Sequence, residues 1–491
     1  MPDIILAAIN AKWIHPSLAL RLLKANLGPL EDRCGIIEFA LRQPLCEKTA
    51  PILSACPRIL GLSVSIWNHL ATLELLKNLR EAWEDEIVRH DRFQRPVVIL
   101  GGPEVSYLGQ EAEIFQYADY CIRGEGETAF RELCGKILSG DDILVNHEFY
   151  TVNTAEIKSA YHLYTDEDLC RKLIYVEASR GCPYGCEFCL SACCASAPSG
   201  RVREIPVREL PLEPFLSEMS DLIRRGAKTF KFLDRTFNLN IERARQIMEF
   251  FLYYINEHIK QNKKPPVVHF EMVPSRFPPE LIDTLARFPP ETLRLEIGIQ
   301  TLNPDVSARI GRPSKPEQEL ETLRLLAKKT NAIIHADLIA GLPGEDAASF
   351  GRGFDALWDA LSPNRIFSGR NNAVEIQPGI LKLLPGAPIA RHIEAFGMDF
   401  NPLPPYELIK SAALPAFNLD RIKNFARFWE LIVNRGLLDI GPAPVFDRFM
   451  ALSDSLLAHF GRSWGIAKDE LLSTINRGTG DQGLGISERN A

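Results

Sequence analysis

The chain has 491 residues, which at roughly 150 per domain suggests about three domains, and 46% hydrophobic with 24% charged residues is a globular composition. No run approaches the roughly 18 apolar residues of a membrane span, and Met1-Pro2-Asp3 opens no cationic leader, so no membrane span and a cytoplasmic location are expected. With 56 basic against 63 acidic residues and a net charge of -7, no bulk nucleic-acid binding is expected, because a phosphate backbone calls for a basic footprint.

In chain order, short β-branched apolar runs at 4–9, 36–39, 59–66, 97–100 and 120–123 alternate with helix-period stretches such as 17–27 and 70–83. Such runs suit strands covered on both faces, so the pattern predicts an α/β, doubly wound (Rossmann-like) parallel sheet over residues 1–140. Ligands of these sheets sit at the carboxyl ends of the strands. There the chain places Asn10-Ala11-Lys12-Trp13-Ile14-His15, Ser63-Val64-Ser65-Ile66-Trp67-Asn68, Gly101-Gly102-Pro103-Glu104 and Gly124-Glu125-Gly126-Glu127, turns that let backbone approach a large ligand.

Residues 141–170 have the composition of a linker. A second alternating series spans 171–395, with strand candidates at 173–178, 229–233, 267–272, 293–299, 333–339 and 374–377, which fit a partial (β/α)6, TIM-like barrel better than a complete one of eight. A small helical C-terminal domain is expected over 396–475, with helices at 406–417, 419–438 and 445–460, followed by a frayed tail at 476–491.

Five of the eleven cysteines fall between 182 and 194, directly after the first strand of the second series. In Gly181-Cys182-Pro183-Tyr184-Gly185-Cys186-Glu187-Phe188-Cys189 three thiolates on one tight loop can grip three corners of an iron–sulfur cube and leave the fourth iron open. An open position separates a reactive metal site from a closed structural one. The rival readings are a zinc loop, buried thiols, or, with Cys193 as a fourth ligand, a closed electron-transfer cluster in a protein without turnover. Cys193 and Cys194 otherwise read as free thiols beside the site.

The loop resembles the Cys-x3-Cys-x2-Cys signature of radical S-adenosylmethionine (radical SAM) enzymes. The resemblance implies a 4Fe-4S cluster on Cys182, Cys186 and Cys189, with S-adenosylmethionine chelated to the open iron and cleaved by electron transfer to a 5′-deoxyadenosyl radical. It further implies that Phe188 packs near the adenine, Asp234 contacts the methionine amino group, Glu296 and Gln300 approach the ribose, Arg312 pairs with the methionine carboxylate, and the Gly341 turn meets the adenine.

Upstream, Ser63, Ser65, Trp67, Asn68, Gly101, Gly102, Gly124 and Glu125 stand on loops similar to those that hold cobalamin in one class of these enzymes; a subgroup of that class also has a C-terminal helical domain. The chain departs from many cobalamin proteins in lacking Asp-x-His-x-x-Gly, so the lower face of the corrin is expected to be empty, occupied by water or approached by another side chain. The activity implied is cobalamin-dependent methyl transfer to an unactivated carbon or another weakly nucleophilic position. The alternatives are cyclisation, rearrangement or oxidation without methyl transfer. A small-molecule, lipid or peptide substrate and a flavodoxin- or ferredoxin-type reductant are the partners expected. His15, near where a corrin would sit, reads more readily as a hydrogen-bonded loop residue than as a ligand, Trp13 and Trp67 either as packing against the corrin or as core, and Glu271 and Arg276 either as site residues or as a structural ion pair.

Overall fold

A computed structural model describes residues 2–89, 93–142, 148–193, 206–312, 314–362, 374–438 and 440–478. The first apolar runs become strands β1 (Ile4–Asn10), β2 (Cys34–Ala40), β3 (Ile59–Ser63), β4 (Val97–Gly101) and β5 (Tyr120–Gly124), and β6 (Phe149–Tyr150), from the expected linker, joins them. All pair in parallel, in the order β2-β1-β3-β4-β5-β6. β1 shows why the sequence reads as an unbroken apolar run. Ile5, Ala7 and Ile9 join Leu60 and Leu100 in a core under helices Leu45–Ala55 and His69–Arg89. Ile4, Leu6 and Ala8 join Ile59, Ile99 and Phe130 in a second core under helices Leu18–Ala25 and Glu127–Ser139. The chain passes to β2 on one side of β1 and to β3 on the other, and the strand ends at that reversal open a crevice.

The second series forms β7 (Ile174–Val176), the short antiparallel ribbon β8 (Ser179–Arg180) and β9 (Arg208–Glu209), then β10 (Thr229–Phe232), β11 (Val267–Met272), β12 (Leu293–Gln300), β13 (Ile333–Ala340) and β14 (Val374–Ile380). Apart from the ribbon these make one parallel sheet, β14-β13-β12-β11-β10-β7, whose end strands stay apart, as in an open partial barrel. Here burial alternates. On β12, Leu293, Leu295, Ile297 and Ile299 are buried, while Arg294, Glu296, Gly298 and Gln300 on the other face are half-buried.

The C-terminal region corrects one expectation. Of residues 406–417, expected as a helix, 406–415 hold none; β16 (Leu408–Lys410) pairs antiparallel with β15 (Asp399–Phe400). Pro402, Pro404 and Pro405 set a turn on the approach, in which Tyr406 N donates to Leu403 O at 2.9 Å, Pro415 stands at the start of the next helix, and Leu408 is buried against the barrel. Helix Ala416–Trp429 follows and runs into a wider turn at Glu430–Asn434. Its Phe425 and Trp429 pack with Phe446 and Phe449 of helix Phe446–Phe460 and with Phe354 and Trp358 of barrel helix Ala347–Leu361. The contacts are mostly edge-on, the arrangement aromatic quadrupoles favour. The last helix runs to Gly478, three residues into the expected tail, and 479–491 lie outside the described residues. No helix among the described residues is long and apolar enough to cross a membrane.

Candidate active site

The cysteine loop leaves β7 through Ala178 and is clasped on several sides. Asp234, just past β10 and 2% exposed, accepts from Ala178 N (2.9 Å) and Ser179 Oγ (2.5 Å); burial pushes its carboxyl up to about 7. It braces the start of the loop. Two residues on, Thr236 Oγ1 lies 3.4 Å from Cys182 Sγ. Glu187, buried between the second and third cysteines, takes Arg391 at 2.5 and 3.0 Å and lies 2.9 Å from His392 Nε2, while its amide donates to Ile310 O and its carbonyl accepts from Ile389 N. Arg312 bridges the loop to β12, with Nη1 3.4 Å from Cys186 Sγ and Nη2 donating to Gly298 O at 2.5 Å. Burial raises the Cys186 thiol and the guanidinium opposes it.

Among the described residues no three His, Cys, Asp or Glu side chains converge as closely as the ligands of one ion would. A cube asks for something else: three sulfurs on one wrapped loop, each for a different iron. The donor set fits that group.

The inner face of the barrel is charged. Lys231 Nζ and His269 Nε2 lie 3.1 and 3.2 Å from Glu296 Oε2, and these two contacts, His269 foremost, draw the Glu296 carboxyl down to about 2. His335 stacks on His269 at 5.7 Å and reaches Glu375 at 2.9 Å. In register with Gly298 stands Asp337, pushed up to about 8 by burial and by Glu296 and Glu271. So many carboxyls around Lys231 leave room for a cation, the charge type of a sulfonium and ammonium group. Gln300 sits with φ 70 at the bulge where β12 slips register against β13.

A cavity of about 510 Å³ lies between the two sheets. Its floor is the apolar slot of Leu6, Leu20, Ile99 and Phe130; its rim carries Ser63, Gly101, Gly102, Gly124 and Glu125; its far wall carries Arg180, Cys182, Leu190 and Arg235. At Gly102, with φ 111, a Cβ would stand 2.5 Å from Val64 O, so only glycine lets the two rim turns meet. Two arginines of the lining, Arg180 and Arg208, are paired across the sheets. Arg208 holds Glu125 through two nitrogens at 2.6 and 2.9 Å, and Arg180 holds Glu127 at 2.7 Å and Glu177 at 2.6 Å. The apolar slot and small-residue rim at strand ends suit a large planar ligand with a buried tail, and no histidine lines the cavity among the described residues.

The sequence-derived residues therefore divide. Ser63, Gly101, Gly102, Gly124, Glu125 and Cys182 share this cavity. Ser65 and Asn68 are buried in a brace in which Asn68 accepts from Ser65 N and donates to Ile9 O and Ser63 O. Trp67 is 51% exposed, and Trp13 stacks under Lys172. His15 bonds the Tyr175 hydroxyl at 2.8 Å, joining the two sheets. Phe188 lines a second groove of about 850 Å³ with Ile339, Leu381, Arg427 and Trp464. Gly341, with φ 90, is also needed because a Cβ would stand 2.3 Å from Leu408. Arg276 turns away to Leu239 O. Cys193 ends the short helix Leu190–Cys193, and Cys194, with most of the segment 193–203 expected to help build the pocket, lies outside the described residues. Sequence reasoning missed Asp337, Arg180, Arg208 and Arg235; the acid in Ala336-Asp337-Leu338, with His335 one of two polar residues in an otherwise apolar strand, was the available signal for the first.

Residues 176–355 match the model of the radical SAM superfamily. The cobalamin-dependent radical SAM methyltransferase TokK of Streptomyces tokunonensis is 23% identical over 70% of this chain and 50% of its own. The chain spans about half the length of the curated relatives it matches. In fold it is similar to OxsB, a cobalamin-dependent S-adenosylmethionine radical enzyme solved with aqua-cobalamin and S-adenosylmethionine (TM-score 0.61, 15% identity, 97% of this chain and 75% of OxsB). It is also similar to the radical S-adenosylmethionine methyltransferase TsrM of Kitasatospora setae, solved with cobalamin and a [4Fe-4S] cluster (TM-score 0.57, 17% identity, 82% of this chain and 81% of TsrM). The chain thus carries a radical SAM domain behind an N-terminal parallel sheet, in the fold of the cobalamin-dependent radical SAM enzymes.

Proposed function

We propose that this protein is a cobalamin-dependent radical SAM enzyme and that it transfers a methyl group to an unactivated carbon or another weakly nucleophilic position of a small molecule. The observation that carries this reading is the cavity whose wall includes both the glycine rim of the first sheet and Cys182 of the loop. When bound, the cluster with S-adenosylmethionine would supply a carbon-centred radical and the corrin a transferable methyl group.

The chain's own residues supply placement. Cys182, Cys186 and Cys189 would hold the cube; Asp234, Glu187 and Arg312 keep the loop in one shape. Glu271, Glu296, Gln300 and Asp337 line the barrel face where a cationic nucleoside would lie. Gly101, Gly102 and Gly124 would admit the macrocycle, and the closed charge pairs at Arg180 and Arg208 dock the two sheets so that water is kept from the reacting centre. TsrM, seen with tryptophan and an S-adenosylmethionine analogue, supports a small-molecule substrate. Cys34, Cys46, Cys56, Cys121, Cys134 and Cys170 are free thiols, which suits a reducing cytoplasm, where a flavodoxin- or ferredoxin-type protein would feed the cluster.

Anaerobic reconstitution tests the reading: a bound corrin spectrum, iron and sulfide in cluster ratio, and 5′-deoxyadenosine on reduction are the expected outcomes. Deoxyadenosine without bound corrin would remove the methyltransferase and leave a barrel enzyme. Chemistry without methyl transfer keeps one specific support, that OxsB, described only as a radical enzyme, covers 97% of this chain. S-adenosylhomocysteine accumulating alongside deoxyadenosine separates the two.

A further inference from the structure

Among the described residues three arginines line the cavity between the sheets, and their partners differ. Arg180 is neutralised by Glu127 and Glu177, and Arg208 by Glu125. Arg235 is not matched in this way. Its side chain is 60% exposed, and among the described residues the carboxylate it approaches is Glu271 at 3.9 Å, the outer limit of an ion pair. The alternation of β10 explains its place: Phe232 is buried under the helices, Asp234 turns back beneath the loop, and Arg235 emerges beside Cys182 and Leu190. Leu233, 37% exposed, offers apolar surface next to it. A guanidinium is a planar fork that matches a carboxylate or phosphate with two parallel hydrogen bonds, and it keeps its charge at every working pH.

We propose that Arg235 anchors an anionic group, carboxylate or phosphate, on the substrate, whose apolar part lies along Leu190 and Leu233 beside Cys182. This rests on the reading that the cavity is the reaction site. Because Arg180 and Arg208 are already paired, an incoming anion meets one unmatched arginine among the described residues of the cavity, and that arginine orients it toward the cysteine loop.

Hexanoate and hexyl phosphate serve as probes and hexylamine as the control, titrated calorimetrically and anaerobically into the reconstituted protein and into the chain as purified. At least one anion should bind and hexylamine should not. Arg235→Gln should weaken the anion at least about tenfold, and Arg235→Lys should restore part of it. Iron content and corrin uptake of both variants should equal those of the unaltered protein. Unchanged anion affinity in Arg235→Gln, or hexylamine binding as tightly as hexanoate, overturns the proposal. So does loss of corrin uptake in that variant, which would assign the cation to the cofactor. Failure of the functional reading shows differently: the unaltered chain takes up neither corrin nor iron, yet still binds the anions through Arg235.

Discussion

Two parallel sheets built from the same strand–helix alternation use their faces in opposite ways. β1 buries all of Ile4 to Ile9, because helices cover both sides. β12 buries every second residue and turns Arg294, Glu296 and Gln300 inward. A strand buried on both faces holds a scaffold in place; one that keeps a polar face can bind and react. The difference teaches where changes should hurt folding and where they should hurt chemistry.

The largest effect is expected at the loop both sheets support. Cys189→Ala should lose the cluster absorbance and with it all deoxyadenosine formation, while the circular dichroism of the two sheets stays intact; unchanged iron content would point to other ligands. Next comes the scaffold. Leu60→Ala, at a fully buried position of β3, should cost about 2–5 kcal/mol and lower Tm without altering which cofactors the folded fraction can take. A smaller effect, of opposite sign, belongs to the polar face. Asp337 is held at about 8 against an ordinary 3.8, so the folded chain takes up a proton there and stability falls as pH climbs through that window. Asp337→Asn in the cofactor-free protein should therefore match the unaltered chain below pH 4 and gain Tm over it progressively toward pH 8, measured as the difference between paired melts. An equal Tm difference at both ends would mean that Asp337 does not titrate in the fold. Smallest is the seam: Arg208→Ala removes a pair with Glu125 whose side chains are 26% and 21% exposed and should cost about 1 kcal/mol, read as faster proteolysis between the sheets.

The same contrast explains what the sequence made legible. The double burial of β1 produces an unbroken apolar run, and the Cys-x3-Cys-x2-Cys spacing lies on one loop, so both could be read locally. Asp234 could not, because its carboxylate is spent on Ala178 and Ser179, partners more than fifty positions away. Arg235 stands next to it in sequence and faces the opposite way, a distinction only the packing reveals. Gly341 reads as a turn for a ligand, yet a Cβ there would meet Leu408, in the segment 406–417 that reads as a helix and that prolines before it and within it keep from forming one. The pairings of Arg180 and Arg208 join two separately folded layers, and no periodicity carries that information.

Glu187 has a consequence for how the protein matures. The residue between the second and third cysteines is locked by His392, 205 positions further along. During synthesis the cysteines leave the ribosome long before that latch exists, so a nascent chain presents loose thiols. The loop thus takes its final shape only after the far end of the barrel has been translated and docked.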